Sequence, residues 1–198
     1  MVIKAIIWDW GGVCCVAGEH FSNPRMLAKA GLTPEEMSAK THDIEHAFYR
    51  GEMTEQEFWN RVIDRYQLNG IPIEELRASY FASAPERAEI IAFIKRTRNR
   101  YKTALLSALG ADMSAHVKKR YGHLFDQLVF SHEIGIMKPD PRAFQHVLDR
   151  LGVKAEDCLF IDDSLKNVEA AARLGMQVVH FKNPEQTLAE AQQKLGEL

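Results

Sequence analysis

The chain has 198 residues, 46% hydrophobic and 26% charged, enough to bury a real core and too few for two large domains. A formal net charge of -2, with Lys and Arg scattered along the sequence, leaves no basic patch for nucleic acid. The N-terminal apolar run Ala5 to Trp8 stops at Asp9, and Cys14, Cys15 and Cys158 lack metal-ligand spacing. Neither a signal peptide nor a membrane span is expected, and the reading is a soluble cytoplasmic protein with reduced cysteines.

In chain order, Val2 to Trp8 reads as a first strand, apolar at its end on successive residues as in a strand buried on both faces. Roughly eighty residues without a convincing strand follow, far more than one crossover helix requires, so they form an insert. The insert reads as helical: Thr33-Pro-Glu-Glu36 and Thr54-Glu-Gln-Glu57 are capping boxes. Phe48, Phe58, Trp59 and Tyr66 are expected to form its own core. Further strands are expected at Tyr101 to Leu106, Leu128 to Phe130, Cys158 to Ile161 and Val178 to Phe181. Between them, Asp140 caps a helix with Pro141 at its first position, and Gly175 closes a helix over Val168 to Leu174. A final amphipathic helix starts near Pro184. Strands alternating with helices give an α/β fold with a doubly wound parallel sheet.

In such sheets ligands bind beyond the carboxyl ends of the strands. Strand one runs into Asp9-Trp-Gly-Gly-Val13, strand two into Ser107, the third strand is followed by Lys138-Pro-Asp-Pro141, and the fourth ends in Asp162-Asp163-Ser164. Alone, each residue reads as a turn former, a cap or a surface charge. Together, an aspartate, a hydroxyl, a lysine and an acidic pair suit phosphoryl transfer. Asp9 attacks phosphorus, Lys138 and Ser107 hold phosphoryl oxygens, and a hard cation offsets an excess of negative charge. Oxygen ligands favour Mg²⁺ over zinc.

Ile6-Ile-Trp-Asp9-Trp-Gly-Gly-Val13, Leu105-Leu-Ser107, Met137-Lys138-Pro-Asp-Pro141 and Phe160-Ile-Asp162-Asp163-Ser-Leu-Lys-Asn167 resemble, in order, the four motifs of haloacid dehalogenase-like hydrolases. The resemblance implies a Rossmann-like sheet of order 3-2-1-4-5, with residues 1–17 and 85–198 as the core. Residues 18–84 would be the small helical cap of the first subfamily, whose helix pattern Arg50-Gly-Glu-Met-Thr-Glu-Gln-Glu-Phe58-Trp59 is similar. It implies a Mg²⁺-dependent phosphatase of small phosphorylated metabolites. Asp9 would be the nucleophile, with Trp10, Ser107, Ala108 and Lys138 around the phosphate. Asp9, the Gly11 carbonyl, Asp163 and, through water, Asp162 would hold the metal, with Asn167 orienting the acidic loop. The oligomeric state and the particular substrate are not readable.

Two positions depart from the family pattern. Ala108 replaces the asparagine of many relatives, leaving its backbone N–H to meet phosphate. Gly11 stands where the phosphatase pattern has a second aspartate that protonates the leaving group; sugar-phosphate phosphatases that this chain resembles also carry glycine there. Without a replacement acid, aryl phosphates should be strongly preferred over alkyl ones; Glu19 and His20 are the sequence's candidates for that replacement. Gly11 also opens the reading of a non-catalytic binding or regulatory module, and a carbon–halogen hydrolase is a further reading because dehalogenases of this superfamily also attack with aspartate, although they need no metal and carry tyrosine where Gly11 stands. A response-regulator receiver domain has the same parts in a different order.

Overall fold

The computed structural model describes residues 2–16 and 21–196. Its centre is one sheet of five strands, β1 (Ala5–Trp8), β2 (Lys102–Ser107), β3 (Gln127–Phe130), β4 (Cys158–Asp162) and β5 (Gln177–His180), in the order β3-β2-β1-β4-β5. Every pairing is parallel. β1 and β4 are buried throughout, which is why their sequences are apolar without alternation. Alternate side chains nevertheless go to opposite faces. Ile6, Trp8, Leu159 and Ile161 join one apolar cluster; Ala5, Ile7 and Phe160 join another.

Of the described helices between β1 and β2, the first four form an insert: α1 (Pro24–Ala30), α2 (Pro34–Tyr49), α3 (Glu55–Tyr66) and α4 (Ile73–Ala82). Six more lie along the sheet part of the chain: α5 (Ala88–Thr97), α6 (Ala111–Tyr121), the single turn α7 (Ser131–Ile134), α8 (Pro141–Leu151), α9 (Leu165–Arg173) and α10 (Pro184–Leu195). The caps form as the sequence indicates. Thr33 and Thr54 both close full capping boxes, and Asp140 accepts the Arg142 N–H ahead of α8. Most limits shift by a single residue, and two differ by three. The first strand starts at Ala5, although Lys4 is already bonded to Asp157 and Lys102, while Val2 is exposed. α9 starts three residues before Val168, because Leu165 and Lys166 are exposed and give no apolar period to read.

The insert encloses its own apolar cluster, with Phe48, Phe58 and Trp59 buried in it and Tyr66 packed at its margin. Phe48 and Phe58 stack at 4.6 Å between centroids, and burying each such side chain stabilises by about 1.5–3 kcal/mol. Tyr80 and Phe81, near the end of α4, pack instead with the sheet's cluster, so this helix joins the two.

The insert rests on the carboxyl edge of the sheet through three contacts. The Phe48 ring lies where any side chain at Gly110 would be, and Arg77 bonds to both Glu55 and Asp112. Gly51, at φ +74°, lies so close to the backbone carbonyl of His132 that an added Cβ would collide with it. Left-handed backbone costs an L-residue roughly 1–2 kcal/mol before any clash is counted. We therefore expect Gly51→Ala to destabilise by about 2 kcal/mol or more, a fall in Tm of roughly 4–8 °C for a chain of this length. Thermal unfolding by circular dichroism measures it; an unchanged Tm would mean that the insert is not held at this point.

Candidate active site

Asp9 is the first residue past β1, and its N–H still donates to the Ile161 carbonyl at 2.9 Å, so the sheet ladder fixes where the side chain emerges. Its carboxylate accepts the Trp10 N–H at 2.8 Å, and Ser107 lies beside it, opposing the rise of its carboxyl. Ser107 is the last residue of β2 and is buried. Lys138, on the loop between α7 and α8, is not a surface residue: its side chain is 4% exposed, with Nζ 3.0 Å from Asp9 Oδ1 and 2.6 Å from Asp162 Oδ2.

The adjacent aspartates divide their tasks. Asp162, fully buried at the end of β4, takes Lys138 on one oxygen; the other accepts the Ser164 N–H at 2.8 Å and Asn167 Nδ2 at 3.0 Å. Asn167 thus braces the acidic loop from the first turn of α9. Asp163 is exposed at the rim, and its carboxylate lies where a Cβ on Gly12 would have to go. At φ +81° and with that neighbour, the Gly12 position accepts nothing larger than glycine. Carboxylate oxygens of Asp9, Asp162 and Asp163 all lie within 4.8 Å of one another.

Charge crowding marks the site. Burial raises Asp9 to about 6, with Lys138 opposing the rise and Asp162 adding to it. Asp163 is raised by partial desolvation and by Asp162. Burial alone would lower the Lys138 ammonium, but Asp9 and Asp162 outweigh it and leave the lysine above its ordinary value.

Asp9 and Lys138 open into a cavity of about 560 Å³, lined also by Gly11, Ser107, Ala108 and Asn167 from the sheet side, while Asp162 and Asp163 stand behind its wall. Of the residues expected at the site, Trp10 stands apart. Its indole is 2% exposed and packs on Tyr121 at 5.0 Å, so the side chain cannot reach a phosphate, and its backbone N–H is already given to Asp9. Glu19 and His20 lie outside the described residues. The opposite wall was missed from sequence: α2 contributes His42, His46 and Tyr49, and α4 contributes Tyr80. Their signal was a polar and aromatic stripe at i, i+4 and i+7 on α2, beside the apolar stripe of Met37, Ile44 and Phe48. Among the described residues, no helix is long and apolar enough to cross a membrane.

A five-stranded parallel sheet of this order, with aspartates and a lysine gathered at its carboxyl edge, is a Rossmann-like α/β fold with its candidate site at the strand-order switch point. The family model of haloacid dehalogenase-like hydrolases matches residues 3–175, and the chain belongs to that family. Among curated relatives, the GMP/IMP nucleotidase YrfG of Escherichia coli (strain K12) is 28% identical over 173 residues, 83% of this chain and 74% of that protein. The match to another curated relative spans only 7% of that relative's length. A HAD-like family hydrolase from Porphyromonas gingivalis superposes with a TM-score of 0.85 at 24% identity over the whole of both chains. A HAD family enzyme from Bacteroides thetaiotaomicron, solved with magnesium and inorganic phosphate, gives 0.79 at 22% identity over 91% of this chain and 94% of that one.

Proposed function

We propose that the chain hydrolyses small phosphate monoesters through a phosphorylated Asp9, with Mg²⁺ as its cofactor. The observation that carries this reading is the convergence of Asp9, Asp162 and Asp163 within 4.8 Å, with Lys138 bridging the first two. Three carboxylates against one ammonium are a hard-oxygen donor set with uncompensated negative charge, which fits a divalent cation such as Mg²⁺. Asp9, Asp163 and the Gly11 carbonyl would hold it, with Asp162 assisting through water. When bound, it supplies positive charge that offsets the charges of nucleophile and phosphate.

The chain's own groups do the remaining work. Asp9 is held through one oxygen, Oδ1, by the Trp10 N–H and Lys138, leaving the other to meet phosphorus. Lys138 neutralises the nucleophile before attack and the phosphoryl oxygens after it. Helices α1–α4, residues 18–84 with their flanks, act as a cap that shields the reaction from water and shapes the substrate space. A cavity of about 560 Å³ suits a metabolite-sized ester. Similarity to a protein named as a GMP/IMP nucleotidase makes nucleoside monophosphates a rational first group in a screen.

The expected result is release of phosphate from p-nitrophenyl phosphate and from members of a phosphorylated-metabolite panel, abolished by EDTA and restored by Mg²⁺. Asp163→Asn should remove most Mg²⁺ binding in calorimetric titration. Metal-independent turnover, or unchanged affinity in that variant, would overturn the assignment. Gly11 is the observation that favours a non-catalytic module, and absence of turnover across the panel with Mg²⁺ bound would establish that reading instead.

A further inference from the structure

The Gly11 position is open: a Cβ there would meet no atom within 4 Å, and the glycine lines the same cavity as Asp9. The place of the missing acid is therefore vacant, not filled by a neighbouring side chain of the sheet. Across that cavity stand His42 and His46, one turn apart on α2, with ring centroids 3.7 Å apart and planes inclined by 38°. We propose that this histidine pair delivers the proton to the leaving oxygen in place of the carboxyl absent at Gly11. The proposal rests on the ester hydrolysis proposed above.

Chemical elimination supports it. Of the other ionisable groups lining the cavity, Lys138 is committed to Asp9 and Asp162. Burial raises Tyr49 and Tyr80 well above the ordinary phenol range, which makes them poor acids. Lys166, exposed on α9, is a fixed positive charge suited to attracting an anion. Among the described residues lining the cavity, with Glu19 and His20 outside them, imidazole is the remaining group whose ordinary titration lies near neutrality, where general acids work best. With centroids 3.7 Å apart, the two rings form one unit facing the cavity. Burial first, then the charges of His42 and Arg50, lower His46, while Glu45 on the same helix opposes them. Neighbouring helices present other charges to α2: Arg65 of α3 is taken up by Asp43, and His132 and Glu133 of α7 lie beyond Gly51.

The step balances. An Asp9 oxygen forms a bond to phosphorus as the ester P–O bond breaks, and the departing oxygen takes the imidazolium proton, giving a neutral alcohol and a neutral imidazole. In the second half, water attacks phosphorus and gives a proton to that imidazole, and the Asp9 O–P bond breaks. Carboxylate and imidazolium are both restored.

The test uses a series of phosphate esters from p-nitrophenyl through phenyl to alkyl, assayed with Mg²⁺ in the full chain, its single and double His42→Asn and His46→Asn variants, and Gly11→Asp in the double-variant background. Lost acid catalysis should lower kcat/KM for alkyl esters by ~10²-fold or more while p-nitrophenyl phosphate changes by only a few-fold, so the dependence on leaving-group basicity steepens. Gly11→Asp should flatten it again. Loss in one single variant or both identifies the ring or rings responsible. An equal loss for every ester, or no loss in any variant, overturns the proposal while leaving the proposed function intact. A parent chain that hydrolyses none of the series overturns both.

Discussion

Asp9→Asn should lose nearly all turnover, ~10⁴-fold or more in kcat/KM, while keeping its fold. Asparagine matches the shape of aspartate, and its oxygen can still accept the Trp10 N–H that the Asp9 carboxylate accepts at 2.8 Å. What disappears is the anionic oxygen facing the cavity, and among the described residues neither of the other two site aspartates stands in its place. Asp162 is fully buried, with both oxygens occupied by Lys138, the Ser164 N–H and Asn167. Asp163 stands at the rim against Gly12. In the parent, beryllium fluoride with Mg²⁺ should form a phosphoryl mimic on Asp9, visible by fluorine NMR and absent from the variant. Retention of most turnover in Asp9→Asn would place the nucleophile elsewhere and end the aspartyl-phosphate mechanism.

The sheet and the residues gathered at its carboxyl edge were legible because their signals are local. An uninterrupted apolar run such as Ala5 to Trp8 occurs only where both faces are covered, and a polar residue just after it must stand at the carboxyl edge. Asp9, Ser107, Lys138 and Asp162 come from four separate segments, yet strand order alone brings them together. The far wall of the cavity was less legible. His42 and His46 face the sheet only because α2 is set down on it by Phe48 over Gly110 and by Gly51 against His132, contacts between segments distant in sequence. A histidine on an amphipathic helix carries no mark of what the helix is docked on. Trp10 shows the reverse case: its neighbour Asp9 points into the site, but adjacent residues leave a chain in different directions, and its indole went to the core beside Tyr121. The burial of Lys138 was likewise hidden, since a lysine before Pro-Asp-Pro has the look of a loop residue at the surface.

That burial changes the result to expect from Lys138→Met. The sequence alone predicts lost turnover without unfolding, as for an anchor at the surface of the site. With the side chain 4% exposed and Nζ 3.0 Å from Asp9 and 2.6 Å from Asp162, its removal also leaves two buried carboxylates without their counter-charge. Breaking a buried pair in this way costs about 3–5 kcal/mol, and losing a charged donor to the reacting phosphoryl group costs ~10²–10³-fold in rate. The stability loss should depend on pH, and its sign follows from Asp9. Burial already raises this carboxyl to about 6, and Lys138 is what restrains it, so the variant's value lies higher still. A carboxyl raised on folding stabilises fully below its unfolded value and loses that contribution as pH climbs through the folded value. The deficit relative to the parent should therefore be small near pH 5 and widen toward pH 8. Urea unfolding of both proteins in EDTA across that range measures it, with steady-state kinetics in Mg²⁺ alongside. A deficit that stays constant with pH would mean that the lysine contributes packing and not charge. Normal kinetics with unchanged stability would return Lys138 to the role of a surface residue and remove the counter-charge from the proposed mechanism.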